Sequence, residues 1–264
     1  MRRRLAVTGL AVLAFTTFAT AACGTNSATP AATTAAAKPA TEILADAAGK
    51  AKGQSFKYTL KYGTALSADG AQDATGANAT RNISFTDASS GLVIKGQILL
   101  AAGVPYAKLD LGPLTALIPG LAGANGKWLT IDRSKIAGTG LAASLIPGGD
   151  STLPETYVKG VVSAENVSST EIKGTIDLTK SAPKAIPAAE IANLTAASKS
   201  VPFTATLDDQ RRIVKIVMSL PKISVFPASD LTTTYSDYGS PIQIVAPPAA
   251  DTVVAPDLIY QFLK

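Results

Sequence analysis

The sequence predicts an α+β fold in which one large antiparallel sheet packs against a few helices. Segments with alternating apolar and polar residues follow one another along the chain, and polar turns separate them. Helical spacing appears in just two short segments, so the regular strand–helix alternation typical of a parallel sheet is missing. Apolar residues make up 47% of the chain and charged residues 16%. That balance indicates a large interior or an apolar surface kept for a ligand.

The chain begins with a pattern typical of a bacterial lipoprotein signal peptide, which we assign to residues 1–22. Three arginines at residues 2–4 precede an apolar stretch at residues 5–18. Small residues at 20–22 then lead to Cys23. The apolar stretch is short for a membrane span, and small residues rather than charges end it. These properties favour a processed export signal over a retained helix.

Cys23 is the single cysteine of the chain, and we expect it to carry the lipid anchor through a thioether. An unpaired cysteine in an exported protein needs a reason, and lipidation supplies one. Thr20 departs from the usual lipobox, which has leucine at that position. The alternative is an ordinary secretory signal with a chance cysteine. With lipidation, the protein is anchored to the extracytoplasmic face of the cell membrane.

Residues 23–40 are predicted to form a disordered tether, because residues 24–40 are Ser, Thr, Ala and Pro with little else. A flexible chain of ~17 residues spans about 23 Å. The remaining residues, 41–264, fit one domain. Loss of the signal removes three arginines and leaves 21 basic against 19 acidic side chains. A nearly neutral protein is not expected to bind nucleic acid.

The predicted helices and strands follow in order from residue 41. A helix is predicted at residues 41–53, with Thr41 as N-cap and Gly53 at its end. A second helix is predicted at residues 188–198, after Pro187. In the first strand the alternation predicts that Phe56, Tyr58, Leu60 and Tyr62 all face inward. The other predicted strands are 80–86, 92–100, 104–109, 127–132, 171–178, 203–207, 213–220, 231–235 and 242–245.

The residue types argue against catalysis. The chain has no histidine, which removes histidine acid–base chemistry, the Ser-His-Asp triad and most zinc sites. Cys23 is committed to lipid. A loose dinucleotide-binding pattern at residues 138–143 lacks the strand–helix–strand context that it requires. We therefore expect no enzyme activity, no metal and no cofactor, although an enzyme acting through scattered carboxylates remains an alternative.

Two apolar segments, residues 114–121 and 141–147, break the strand alternation. Leu-Ile-Pro-Gly occurs at residues 117–120 and again at residues 145–148, and glycine and proline flank both segments. One interpretation is that they are short core helices. The other is that they line or cover an apolar cavity as parts that separate to admit an acyl chain. On that interpretation the ligand-binding residues are Leu114, Leu117, Ile118, Leu121, Leu141, Leu145 and Ile146.

The order of these features resembles the LppX/LprA/LprF/LprG family of actinobacterial lipoproteins, whose fold is related to the lipoprotein carriers LolA and LolB. The resemblance extends over nearly the whole chain after the signal. It rests on the lipobox and tether, the first helix, and residues 103–108, 127–132, 173–180 and 235–242.

The resemblance implies a half-barrel, in which one curved antiparallel sheet encloses helices and a hydrophobic cavity. The cavity of such a protein takes the acyl chains of a lipid or glycolipid, which the protein carries or presents across the cell envelope. It implies no catalytic residue. The competing hypothesis is a surface-anchored structural or interaction lipoprotein with a solid core.

Replacement of Cys23 by alanine tests the anchor. Because no other residue can form the thioether, Cys23→Ala should give an unprocessed or released protein. Metabolic labelling with a fatty-acid analogue measures this, with the wild-type chain as the labelled control. Label on the Cys23→Ala protein would contradict the assignment.

Overall fold

The computed structural model describes residues 38–87, 89–110, 112, 122–124, 126–136, 153–181, 196–222 and 227–262. No helix in these ranges is long and apolar enough to cross a bilayer. The helices described are α1 Ala40–Gly49, α2 Pro154–Val158, α3 Leu178–Ser181 and α4 Asp257–Phe262. The strands described are β1 Phe56–Tyr62, β2 Leu66–Gln72, β3 Ala79–Thr86, β4 Val93–Ala101, β5 Val104–Asp110, β6 Trp128–Thr130, β7 Val161–Asn166, β8 Glu171–Ile176, β9 Val201–Leu207, β10 Ile213–Leu220, β11 Ser229–Ser236 and β12 Thr252–Val254.

These strands form one open, curved sheet in the order β12-β6-β5-β4-β3-β2-β1-β11-β10-β9-β8-β7. Every neighbouring pair except β6 and β12 is antiparallel, which confirms the predicted α+β fold with one large antiparallel sheet. Most neighbours in the sheet are also consecutive in the chain, so short turns connect them. β1 joins the two halves, because it pairs with β2 on one side and β11 on the other.

The pair formed by β12 and β6 is parallel, and the prediction of a wholly antiparallel sheet is wrong there. β12 is reached from β11 by residues 237–251, which lead from the middle of the sheet to its edge. A connection of this length can return a strand in either direction. The strand predicted at residues 242–245 is also wrong, since these residues have no strand pairing. Pro241 precedes them, and proline cannot donate to a sheet hydrogen bond.

The predicted helix boundaries need correction. α1 begins at Ala40 after Pro39, so Thr41 lies inside the helix and is not its N-cap. The helix ends at Gly49, and Gly53, with a φ of +71°, closes the turn that follows. Of the second predicted helix, the described residues Ala196–Lys199 form a 3-10 turn. The rest of that prediction lies outside the described residues.

The main core lies between the sheet and α1. The buried α1 residues Leu44, Ala47 and Ala48 belong to one apolar cluster with Phe56, and α1 packs against α2, β7 and β10. Burial of one leucine side chain contributes roughly 1.5–3 kcal/mol. We call the face of the sheet that α1 and α2 cover the inner face. Phe56, Tyr58 and Tyr62 are buried on it and Leu60 is partly buried, which confirms the predicted orientation of β1.

A second apolar cluster packs the C-terminal helix α4 against β6, near the β12 edge of the sheet. Ile259 and Tyr260 of α4 pack with Leu129 of β6. The backbone N–H of Asp132 donates to the Tyr260 hydroxyl at 2.9 Å. The Nζ atom of Lys135 lies 2.7 Å from an Asp257 carboxylate oxygen. The C-terminal tail is therefore part of the folded unit.

Truncation of Ile259 measures what this attachment contributes. Ile259 is 4% exposed, so Ile259→Ala should lower the free energy of unfolding by about 2–3 kcal/mol. Gln261→Ala is the matched control, because Gln261 is exposed on the same helix. Denaturant unfolding gives both values. Equal stability of the two variants would mean that α4 adds little to the fold.

Candidate functional site

The antiparallel register sets which side chains share the inner face. Tyr58 on β1 lies opposite Tyr235 on β11 and opposite Gly70 on β2. Gly70 in turn lies opposite Arg81 on β3. Residues directly opposite in a ladder point to the same face. One row across the sheet therefore carries two tyrosines, a glycine and an arginine among apolar neighbours.

Burial differs between parts of the inner face. Over β1 and β8–β11 the inward side chains are buried in the main core, among them Ile172, Phe203 and Met218. Over the end of β2–β5 that lies beside Tyr62, the inward apolar side chains are only half-buried. We call this second set the apolar patch, and it consists of Leu66, Ala68, Ile83, Phe85, Ile94 and Leu109.

Gly96 lies within the apolar patch. It stands opposite Ile83 on β3 and opposite Leu109 on β5. A Cβ atom built on Gly96 would meet only one described neighbour within 4 Å, the Leu109 Cδ2 atom at 3.7 Å. That distance is ordinary van der Waals contact. A methyl group at the centre of the patch would therefore make ordinary contacts with the described residues.

The predicted ligand-binding residues all lie outside the described residues, and so does Cys23. The elements on either side of the two segments are described. The last residue of β5, Asp110, follows Leu109 of the apolar patch, and the first segment begins four residues later in the sequence. The second segment leads into Leu153, which packs on the main core, and then into α2. The predicted ligand contacts remain a prediction.

A buried pair of polar side chains adjoins the patch. Arg81 is 8% exposed, and its Nε atom donates to the Tyr58 hydroxyl at 2.8 Å. Gly70 permits this contact, because a Cβ there would lie 2.7 Å from the Tyr58 hydroxyl oxygen and 2.2 Å from the Thr80 carbonyl oxygen. Arg81 precedes Ile83 by two residues on one strand, so both point to the inner face. Arg81 is therefore the neighbour of the apolar patch on β3, and its guanidinium carbon lies 5.9 Å from the centroid of the Tyr58 ring.

Three further hydroxyls join this pair. Tyr157 is a residue of α2, and its hydroxyl lies 3.4 Å from that of Thr233 on β11. Tyr235 follows Thr233 by two residues and shares its face. Within the described residues, the buried Tyr235 hydroxyl has no hydrogen-bond partner. We call this set the polar cluster, and it consists of Tyr58, Arg81, Tyr157, Thr233 and Tyr235.

The electrostatics of the polar cluster keep its hydroxyls protonated. Burial raises the pKa of Tyr157 and raises the pKa of Tyr235 well above 10.0. Burial also raises the pKa of Tyr58, against the opposing effect of the Arg81 charge. An arginine stays charged at any physiological pH. At neutral pH the cluster therefore presents one positive charge and neutral hydroxyl donors.

Sequence reasoning assigned Tyr58 to core packing and did not single out Arg81. The signal for Arg81 was nonetheless present. In the strand Ala79–Thr86, the residues that alternate with Asn82 and Ser84 are apolar except for Arg81. An arginine in the apolar phase of a strand indicates a buried charge with a specific role.

An open groove of about 520 Å³ lies on the opposite face of β7–β10. Its walls include Ser163, Thr175 and the ion pair of Lys173 with Glu165, whose Nζ–Oε1 distance is 3.1 Å. Both charged side chains are more than half exposed. The groove is therefore open to solvent and carries charged side chains, unlike the apolar patch.

Comparison of the chain with protein-family models and with curated protein sequences found no match. The resemblance to the LppX/LprA/LprF/LprG family therefore remains a prediction.

Replacement of Gly70 tests how the polar cluster is held. Gly70→Ala places a Cβ against the Thr80 carbonyl and the Tyr58 ring, so Tyr58 has to move. Overpacking of this kind costs about 1–3 kcal/mol of unfolding free energy. Gly96→Ala is the matched control, because its Cβ meets ordinary contact distances in the same sheet. Denaturant unfolding in which both variants matched the wild type would contradict the assigned geometry.

Proposed function

We propose that the protein is a lipid-anchored envelope protein that binds the acyl chains of a lipid or glycolipid in an apolar cavity. It carries or presents that lipid across the cell envelope. The observation that carries the proposal is the apolar patch. It shares the inner face with the main core, yet its side chains are half-buried.

The physics of acyl-chain binding suits the patch. Each methylene moved from water into an apolar site contributes roughly 0.8 kcal/mol. A chain lying along Ile83 and Leu109 would gain this energy and would cover the side chains that are now half-buried. Gly96, between them, leaves room for the chain to approach the backbone. The first predicted ligand segment follows β5 along the chain, and β5 carries Leu109 of the patch.

The anchor belongs to the same proposal. A diacylglyceryl group on Cys23 would hold the folded unit near the extracytoplasmic membrane surface. Residues 24–37 separate Cys23 from Lys38, the first described residue. A flexible tether of that length would let the apolar patch reach lipids in the membrane.

Gly96→Phe provides the direct test. A Cβ atom at this position meets no close backbone contact among the described residues, so we expect a phenylalanine there to fill the centre of the patch. Phenylalanine also suits a strand better than glycine does. We expect at least a several-fold loss of co-purified lipid while the melting temperature is unchanged or rises. Lipid extraction and mass spectrometry of the full chain, purified from membranes, measure the lipid. Gln97→Phe is the control, because Gln97 is exposed on the opposite face of β4.

The alternatives make different predictions in this experiment. A structural or interaction lipoprotein with a solid core would carry no lipid in the wild-type form. In such a core Gly96→Phe would destabilise the fold by overpacking. Lipid retained equally by Gly96→Phe and Gln97→Phe would place the binding site elsewhere and contradict the role of the patch.

A further inference from the structure

We propose that the polar cluster binds an oxyanion, a carboxylate or a phosphate, attached to the acyl chain that lies on the apolar patch. The inference rests on the proposed function and makes its ligand class specific. It selects acidic amphiphiles over neutral esters and alcohols.

The first argument is the unpartnered hydroxyl of Tyr235. It is buried, and the described residues supply it with no hydrogen-bond partner. Buried polar groups in native proteins are nearly always paired, and an exception needs an explanation. A tyrosine whose pKa is raised by burial keeps its proton and remains a donor. The partner that it lacks is therefore an acceptor, which an oxyanion supplies.

The second argument is the charge and the geometry around that hydroxyl. Arg81 is buried, carries a fixed positive charge and lies in the same cross-strand row as Tyr235. Guanidinium groups bind carboxylate and phosphate oxygens in charge-assisted hydrogen bonds, which are stronger than neutral ones. The hydroxyls of Tyr157 and Thr233, at 3.4 Å from each other, form a weak hydrogen bond that can be exchanged for a better acceptor.

The third argument is position. Ile83 of the apolar patch is two residues from Arg81 on the same face of β3. An amphiphile whose chain lies on the patch can therefore direct its head group toward the polar cluster. A neutral ester would bring no charged acceptor to the Tyr235 hydroxyl. The arrangement thus distinguishes ligands by their head group while the patch accepts their chains.

The test compares a fluorescent fatty acid with its neutral counterpart. The full chain is purified from membranes and delipidated, and cis-parinaric acid and cis-parinaric acid methyl ester are titrated against it. We expect the wild type to prefer the acid by about tenfold or more. Displacement by dodecanoate, dodecyl phosphate and dodecanol then separates carboxylate from phosphate ligands. Dodecanol should be the weakest competitor.

Two variants connect that preference to the polar cluster. Tyr235→Phe removes the unpartnered hydroxyl and should lower acid binding several-fold, with the melting temperature unchanged or raised. Arg81→Met should abolish the preference for the acid while ester binding stays. Tyr62→Phe is the control, because Tyr62 is a buried tyrosine on the same face whose hydroxyl donates to the Pro227 carbonyl at 2.6 Å. It should lose stability and keep the acid-to-ester ratio.

Any other result of this binding test contradicts either the oxyanion site or the proposed function. Equal binding of acid and ester by the wild type overturns the oxyanion site and leaves the proposed function intact. An acid preference that survives in both Tyr235→Phe and Arg81→Met assigns the preference to other residues. If the wild type binds neither probe, the proposed function fails together with this inference. If Arg81→Met does not fold, Tyr235→Phe decides.

Discussion

The inner face depends on the close approach between the ring of Tyr58 and the backbone of Gly70. No residue with a Cβ fits there, since that atom would lie 2.8 Å from the Tyr58 Cζ atom. The glycine lets the tyrosine cross β2 and receive the hydrogen bond of Arg81 on β3. A glycine within a strand costs stability through its entropy, and the sheet offsets that cost by tying β1 to β3. The charge of Arg81 is thereby held beside apolar side chains.

The same strand register places the main core and the apolar patch on different parts of the inner face. On one side of β1, α1 and α2 close the inner face, and Leu44 and Tyr157 of these helices are buried against it. On the other side, at the end of β2–β5 beside Tyr62, Ile83 and Leu109 are half-buried. A carrier needs this division, because a site that opens for a ligand has to be drawn from the less stable part of a fold. The closed half can hold the sheet together while the other half exchanges its occupant.

The alternation of apolar and polar residues predicted β1, because every second residue of that strand is apolar. It failed for β2, where Ser67, Asp69 and Gly70 leave little apolar pattern and the strand forms by pairing on both sides. β12 is three residues long and forms by pairing with β6, so no local sequence pattern predicts it. The polar cluster depends on such pairings as well. Sequence alone places Arg81 on an apolar face but cannot bring Tyr157 or Tyr235 to it.

Selectivity in a site of this kind comes from a buried polar group that only some ligands can satisfy. An apolar patch binds any acyl chain with similar energy per methylene, so it discriminates weakly between lipids. The Tyr235 hydroxyl is different, because it is buried without a partner among the described residues, and only a ligand that brings an acceptor relieves that cost. The cost of such an unpaired buried group is about 1–3 kcal/mol. If the proposed function holds, the polar cluster would therefore favour amphiphiles with an acidic head group, while the apolar patch supplies most of the affinity.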